Sequence, residues 1–213
     1  MSMTEPVAGI LLAGGRSRRM GGGDKCLQEL AGKPVLARVI ARLEPQVAVM
    51  VISANGDPSR FAAFGLPVVA DSVGGFAGPL AGVHAGLEWV EANYPDVRYA
   101  VTVATDTPFL PADLVQRFRA ALPSTPSLLV ARSGEGVQPV IGLWPVGLTP
   151  ALETSLNEGA RKTGLWMEQH GAIEVPFPDA TEGGRRIDPF FNINTPDQLA
   201  EAESLLASKA ALR

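Results

Sequence analysis

The 213-residue chain has one cysteine, two histidines and few aromatic residues, and each shortage removes a class of protein. Cys26 alone cannot build a disulfide framework, a four-cysteine zinc site or a paired-thiol redox centre. His84 and His170 stand far apart, which leaves no histidine-based metal cluster. No apolar run reaches the about 18 residues of a membrane span. The first 15 residues lack a basic leader and run straight into Arg16-Ser17-Arg18-Arg19, unlike a secretory signal. Together these absences predict a soluble protein of the reducing cytoplasm, without a membrane partner. Internal repeats and low-complexity tracts are missing too. Charge is also modest, at 19% with a net −4, which argues against a general nucleic-acid binder. The 46% apolar share excludes a disordered chain, and the length suits a single domain with a sizeable core.

What charge there is lies unevenly. Residues 1–42 hold seven Lys/Arg against three Asp/Glu, a local +4, and the remainder holds 11 against 19, a local −8. Positive charge gathered at one end implies an anion to be held there. Apolar runs at 7–13, 47–53, 67–70 and 99–104 read as strands. Their lack of a polar alternate face is what a parallel sheet covered on both sides requires. Helix-like segments fall between them at 34–43, 58–64, 80–91 and 112–122, with Pro34 suited to a first helical turn. This alternation predicts an α/β three-layer fold, a mostly parallel, doubly wound, Rossmann-like sheet with right-handed crossovers. After residue 123 the rhythm changes to strands at 127–132 and 137–144 joined by a turn at 133–136. Pro139, lacking an amide donor, belongs at an edge or bulge. Helices at 149–157 and 163–170, a short strand near 172–175 and a Gly/Pro-rich loop follow. Thr195-Pro196-Asp197-Gln198 is a capping box that starts a last helix. The chain thus divides into a nucleotide-type half, about 7–122, and a small C-terminal β/α extension, about 123–206, that shapes a second site.

Polar clusters follow all four predicted parallel strands, at 14–25, 54–57, 71–75 and 105–108. Ligands of open α/β sheets bind outside the carboxyl ends of the strands, so one cleft along that edge is expected. The first cluster combines glycines, whose amides can turn toward an anion, with Arg16, Arg18, Arg19 and Lys25. It is not a P-loop, since no G-x-x-x-x-G-K-[ST] occurs, and Cys26 spoils the only promising G-x-G-x-x-G frame. Asp106 in Thr105-Asp106-Thr107-Pro108 can ligate Mg²⁺ beside phosphate oxygens and waters, or form an Asx turn before proline. Asp71 can accept hydrogen bonds from a base or ribose, or simply shape a turn, and Asn55 before Gly56 is a common turn pair. Gly78, Gly82 and Gly86 would form one smooth helix face for packing on the sheet. His84 reads as structural, and Cys26 as a small buried residue.

With those residues placed, the sequence resembles the molybdenum cofactor guanylyltransferase family. The resemblance rests on Leu-Ala-Gly-Gly-Arg-Ser-Arg-Arg-Met-Gly-Gly-Gly-Asp-Lys at 12–25 and on Ser53-Ala54-Asn55, Asp71 and Gly78-Pro79-Leu80-Ala81-Gly82. It continues through Asp106-Thr107-Pro108-Phe109-Leu110-Pro111, Gln138-Pro139-Val140 and Phe191-Asn192-Ile193-Asn194-Thr195-Pro196, covering about 7–206. It implies transfer of GMP from GTP to the phosphate of molybdenum-molybdopterin, with release of pyrophosphate. It implies that Leu12, Ala13, Gly14, Gly15 and Lys25 contact GTP, that Asn55 and Asp71 contact the nucleoside, and that Asp106 holds GTP-bound Mg²⁺. Lys25, Asp106 and Arg19 are then the catalytic candidates, and Gln138, Asn192 and Asn194 line the pterin side. Contacts with molybdopterin insertion proteins and apo-molybdoenzymes are implied as well. One departure is Ala104-Thr105 before Asp106, where many relatives have a cysteine.

Two rivals remain at the level of sequence. A cytidylyltransferase acting on molybdopterin or on a sugar or polyol phosphate would share the loop, although Gly14 favours guanylyl transfer. A non-catalytic GTP sensor or pterin-cofactor carrier should have lost Lys25 or Asp106, and this chain keeps both.

Overall fold

The computed structural model describes residues 5–14, 24–71, 78–182 and 184–211. At its centre lies β1 (Val7–Leu12), six residues all buried. It is flanked in parallel register by β2 (Val49–Ser53) and β4 (Tyr99–Ala104). The outer strand β3 (Val68–Val69) pairs with β2, again in parallel. Period-2 geometry sends alternate β1 side chains to opposite layers, and both layers are covered. Val7 and Leu11 pack with Leu36, Val39 and Leu43 of α1 (Val35–Leu43) and Phe118 of α3 (Leu114–Ala121). Ala8, Ile10 and Leu12 pack on the other side with Val83, Leu87 and Val90 of α2 (Pro79–Asn93). Two-sided burial is why these strands read as continuous apolar runs.

The sheet continues past β4 with β5 (Leu129–Ser133), β6 (Gly136–Pro145) and β7 (Ile173–Pro176), in the spatial order β3-β2-β1-β4-β6-β5-β7. Only β6 runs antiparallel to its neighbours. It carries the expected irregularity at Pro139: Val130 pairs with Gly142 but Ala131 pairs with Gln138, so three residues of β6 bulge out of register. That bulge spares the sheet a missing donor and turns Val140 toward the cleft described below. α4 (Thr149–Asn157) and α5 (Thr163–Gln169) cover the α2 face, through Leu152, Leu156, Trp166 and Met167.

Several details differ from the sequence reading. Pro34 is the N-cap of α1 rather than its first residue, because its extended backbone pairs with Glu29 in a small hairpin. The turn of that hairpin holds Ala31 and Gly32 at φ 48° and 73°. Residues 58–64 form a 3₁₀ helix, Pro58–Phe64, whose N-cap Asp57 accepts from the Ser59 amide at 2.9 Å. The stretch read as a Gly/Pro-rich loop contains a second hairpin, Ala180–Glu182 with Arg185–Ile187. The last helix, α6 (Pro196–Ala211), buries Ala202 and Leu205 in a third cluster with Leu30, Val35, Phe109 and Ile193. The end of the chain is thereby laid against its beginning.

The glycines of α2 are a packing device. A Cβ on Gly82 would stand 2.8 Å from Ser53 Oγ, and one on Gly86 would stand 2.5 Å from Ile10 Cγ2. Gly86→Ala gains about 1 kcal/mol of helix propensity. It also drives a methyl into a fully buried, branched side chain, for which overpacking costs about 1–3 kcal/mol. The expected net result is a loss of up to about 2 kcal/mol, read as a lower midpoint in thermal melts. An unchanged midpoint would mean that α2 can lift from the sheet without penalty.

Candidate functional site

The strand order reverses between β1 and β4, since the chain builds outward from β1 to β3 and then returns to the other side of β1. At such a switch point the loops leaving the two strands diverge and leave a crevice beyond their carboxyl ends. A cleft of about 860 Å³ occupies that place. Of the residues singled out from sequence, Leu12, Ala13, Gly14, Lys25, Asn55, Asp71, Asp106 and Asn192 all line it. Arg19 and Gly15 lie outside the described residues.

Its first wall is the exit from β1. The Ala13 amide donates to Ser53 O at 2.9 Å, and Thr105 Oγ1 donates to Leu12 O at 3.2 Å, so the β1 loop is pinned to both neighbouring strands. Gly14 is exposed, and no atom of the described residues lies within 4 Å of where its Cβ would stand. Lys25 opens a 3₁₀ turn, Lys25–Leu27, anchored by buried Cys26. Burial, opposed by a hydrogen bond with Thr105, pushes the Cys26 thiol up to about 11. It therefore stays protonated at neutral pH and is a packing residue, not a nucleophile. Lys25 Nζ donates to Asn194 Oδ1 at 2.8 Å, across 169 residues of sequence.

That contact depends on the last helix. Gln198 donates its amide to Thr195 Oγ1 at 3.3 Å, the forward half of the capping box. The return half is displaced by one residue, because Gln198 Oε1 accepts from the Asn194 amide at 2.8 Å rather than from the Thr195 amide, with the Thr195 hydroxyl also donating to it at 3.4 Å. Helix capping thus fixes the backbone of the residue that holds Lys25. Two residues earlier, Asn192 Oδ1 is buried at the cleft with no hydrogen-bond partner among the described residues. An orphaned buried acceptor of this kind is costly unless a ligand or water supplies a donor.

Asp106 follows β4. Thr107 Oγ1 donates to Ala104 O at 2.7 Å and the Ile193 amide donates to Asp106 O at 3.0 Å, so the turn is held without the Asp106 carboxylate. Burial raises the Asp106 carboxyl above the ordinary carboxylate range, and the nearby positive charge of Lys25 partly offsets that rise. Among the described residues no group of three or more His, Cys, Asp or Glu side chains could cage a metal. One half-buried carboxylate suits a Mg²⁺ that keeps waters and substrate phosphate oxygens as its other ligands.

The far wall joins the loops after β2 and β3. Asn55 Nδ2 donates to Asp71 Oδ2 at 2.7 Å, and the Asp71 amide donates back to Asn55 Oδ1 at 2.9 Å. The two predicted nucleoside residues are therefore one closed unit. Gln138 donates to Ser133 Oγ at 3.1 Å and is not among the residues lining the cleft, where its neighbour Val140 stands instead. His84 is buried within α2 and does not line the cleft either. Arg60 does, although nothing in the sequence distinguished it from an exposed helix cation. Its guanidinium donates to Asn55 O at 2.6 Å and lies 2.9 Å from Asp24 Oδ2.

Comparison with known proteins agrees with this architecture. The family model of the MobA-like NTP transferase domain matches residues 9–173. A Mesorhizobium japonicum protein named molybdenum cofactor guanylyltransferase is 50% identical over 208 residues, covering 97% of this chain and 99% of its own. One of the same name from a Bradyrhizobium species is also 50% identical, over 97% and 96% of the two chains. The solved molybdopterin-guanine dinucleotide biosynthesis protein A of Archaeoglobus fulgidus superposes with a TM-score of 0.70 at 22% identity, over 94% of this chain and 99% of that one. A 4-diphosphocytidyl-2C-methyl-D-erythritol synthase from Anaerococcus prevotii does so at 0.69 with 12% identity, over 95% and 96%, so the fold is shared between chemistries. The two half-identical, full-length relatives are more specific than the fold, and by them the chain belongs to the molybdenum cofactor guanylyltransferase family, built on the MobA-like nucleotidyltransferase domain.

Proposed function

We propose that the chain transfers GMP from GTP to the phosphate of molybdenum-molybdopterin, giving molybdopterin guanine dinucleotide and pyrophosphate. The observation that carries this reading is one cleft at the β1/β4 switch point that gathers Lys25, Asp106, the Asn55–Asp71 pair and Asn192. The pterin phosphate oxygen attacks the α-phosphorus of GTP, a new P–O bond forms, and the bond to the bridging α–β oxygen breaks as pyrophosphate leaves. A phosphate monoester, with a second pKa of about 6, is already largely dianionic at neutral pH. The protein then needs no strong base and no nucleophilic side chain, which fits a cleft whose one thiol is protonated.

Positioning and charge neutralisation fall to named residues. Leu12, Ala13 and Gly14 at the β1 exit line the triphosphate end of the cleft, and Gly15 and Arg19 are the further candidates of the same loop for the phosphates. Lys25 stabilises the charge that develops on the α- and β-phosphates. Asn55 and Asp71 face the nucleoside, while Asn192 and Asn194 border the pterin side, with Gln138 further along β6. Asp106 is the protein ligand for Mg²⁺, which when bound draws negative charge off the phosphate oxygens. We read the setting as cytoplasmic, where GTP is available, and hand-over of the product to molybdopterin insertion proteins or apo-molybdoenzymes as its sequel.

The direct assay is pyrophosphate release with GTP and molybdenum-molybdopterin as the substrates. Because a cytidylyl enzyme shares the fold, base choice needs its own measurement. Calorimetric titration with GTP and CTP in parallel is expected to give tighter binding of GTP by at least about tenfold, one missing base-edge hydrogen bond being worth that much. Tighter CTP binding would overturn the guanylyl assignment.

A further inference from the structure

Arg60 sits where three strand-end loops meet. Its guanidinium donates to Asn55 O at 2.6 Å in the loop after β2. Its Nε lies 2.9 Å from Asp24 Oδ2, the residue immediately before Lys25 in the loop after β1. Through Asn55, whose side chain closes on Asp71, the connection extends to the loop after β3. Asp24, Arg60, Asn55 and Asp71 therefore form one unbroken polar chain along the rim of the cleft.

Arg60 is itself held in place. It rides on the 3₁₀ helix Pro58–Phe64, whose start is closed by Asp57 accepting from the Ser59 amide and hydroxyl at 2.9 and 2.6 Å. Its guanidinium lies 4.8 Å from the ring centroid of Phe61, which is fully buried. Gly56 makes room for it: with φ at 89°, the residue curls under the guanidinium, and a Cβ there would stand 3.3 Å from Arg60 Nη1. The Arg60 and Asp24 side chains are 29% and 21% exposed, so their attraction is less screened than that of an open surface pair.

We infer that Arg60 is a positioning residue for nucleotide binding, a planar clasp that sets the spacing between the Lys25 side of the cleft and the Asn55–Asp71 side. The inference rests on the nucleotidyl-transfer reading above and deepens it. Lys25 is tethered to Asn194 on one flank, and Arg60 pairs with Asp24 on the other. The triphosphate and nucleoside ends of one ligand must be met at a fixed separation, and a preorganised rim lowers the ordering cost of binding. One rigid guanidinium plane thus carries both the Nη2 hydrogen bond to Asn55 O and the ion pair with Asp24, although Nε does not meet Asp24 in hydrogen-bond geometry.

The test compares wild type, R60M, D24N and the double variant D24N/R60M by nucleotide calorimetry with Mg²⁺ and by pyrophosphate release at saturating nucleotide. R60M is expected to weaken nucleotide binding about tenfold, with turnover at saturation within about twofold of wild type. D24N should weaken binding several-fold, and the double variant should be no worse than R60M alone, because both cut the same clasp. D24N leaves the Asn55 and Phe61 contacts of Arg60 in place, so it carries the test even where R60M melts early. Unchanged affinity in D24N or in R60M overturns the inference. Penalties that multiply in the double variant overturn it as well, since Arg60 would then act on the nucleotide independently of Asp24. The wild-type titration separates the two levels: preference for CTP would sink the guanylyl reading, while the clasp would still be read out on CTP.

Discussion

Lys25→Ala is expected to lower the rate of pyrophosphate release about 10²–10³-fold at saturating GTP, the range for removing one charge-stabilising donor from a transition state. The ammonium is tightly aimed. Cys26 and the 3₁₀ turn Lys25–Leu27 fix its backbone, Asn194 takes Nζ at 2.8 Å, and Gln198 fixes Asn194 from the cap of α6. A charge held this way contributes without reorganising as the reaction proceeds, which is where the effect gains its size. Lys25 also lowers the Asp106 carboxyl from the level that burial alone would set. Its loss should therefore push Asp106 further up and move the Mg²⁺ requirement toward more alkaline pH. Slow turnover combined with that displaced pH profile is the signature expected. Near-wild-type turnover would remove Lys25 from the mechanism.

How much of this site could be read in the sequence depends on whether each feature is local. The parallel strands were legible because β1 is apolar at every position and β4 at every position but Thr102, as two-sided burial demands. The polar clusters at their ends then located the cleft. Pro139 announced its bulge because a residue without an amide cannot sit in a regular ladder. The pairing of Asn55 with Asp71 was not legible, although both residues were. It follows from the register of β2 with β3, where Ser53 meets Val69 and the next residues run on together. The Lys25–Asn194 contact needed α6 to pack on the first hairpin, a cluster whose members are scattered from Leu30 to Leu205. That hairpin escaped notice because two-residue strands carry no periodicity. Arg60 escaped because one arginine in a short helix reads as solvated surface; only the approach of Asp24 gives it a role.

Asp106→Asn carries the second large effect, and its sign differs between activity and stability. Activity should fall on the order of 10³-fold at neutral pH, since a metal ion's charge stabilisation is worth several kcal/mol. The Mg²⁺ titration should flatten, and an unchanged titration would assign the metal to another ligand. Stability should move the other way. Burial raises the folded carboxyl above its unfolded value, so between the two the native state binds more protons than the unfolded state. Native stability then declines as pH rises through that window and stays reduced above it, while asparagine, which does not titrate, escapes the decline. Without Mg²⁺, melts at neutral pH should therefore find the variant more stable than wild type, and melts at a pH below the unfolded carboxylate value should remove that advantage. Mg²⁺ with GTP should stabilise wild type more than the variant, because only the ionised carboxylate gains from the cation. A variant that is less stable than wild type at neutral pH would mean that Asp106 is a structural turn residue after all. The opposite result would identify a carboxylate kept in an unfavourable, half-buried position for the cation it meets when substrate arrives.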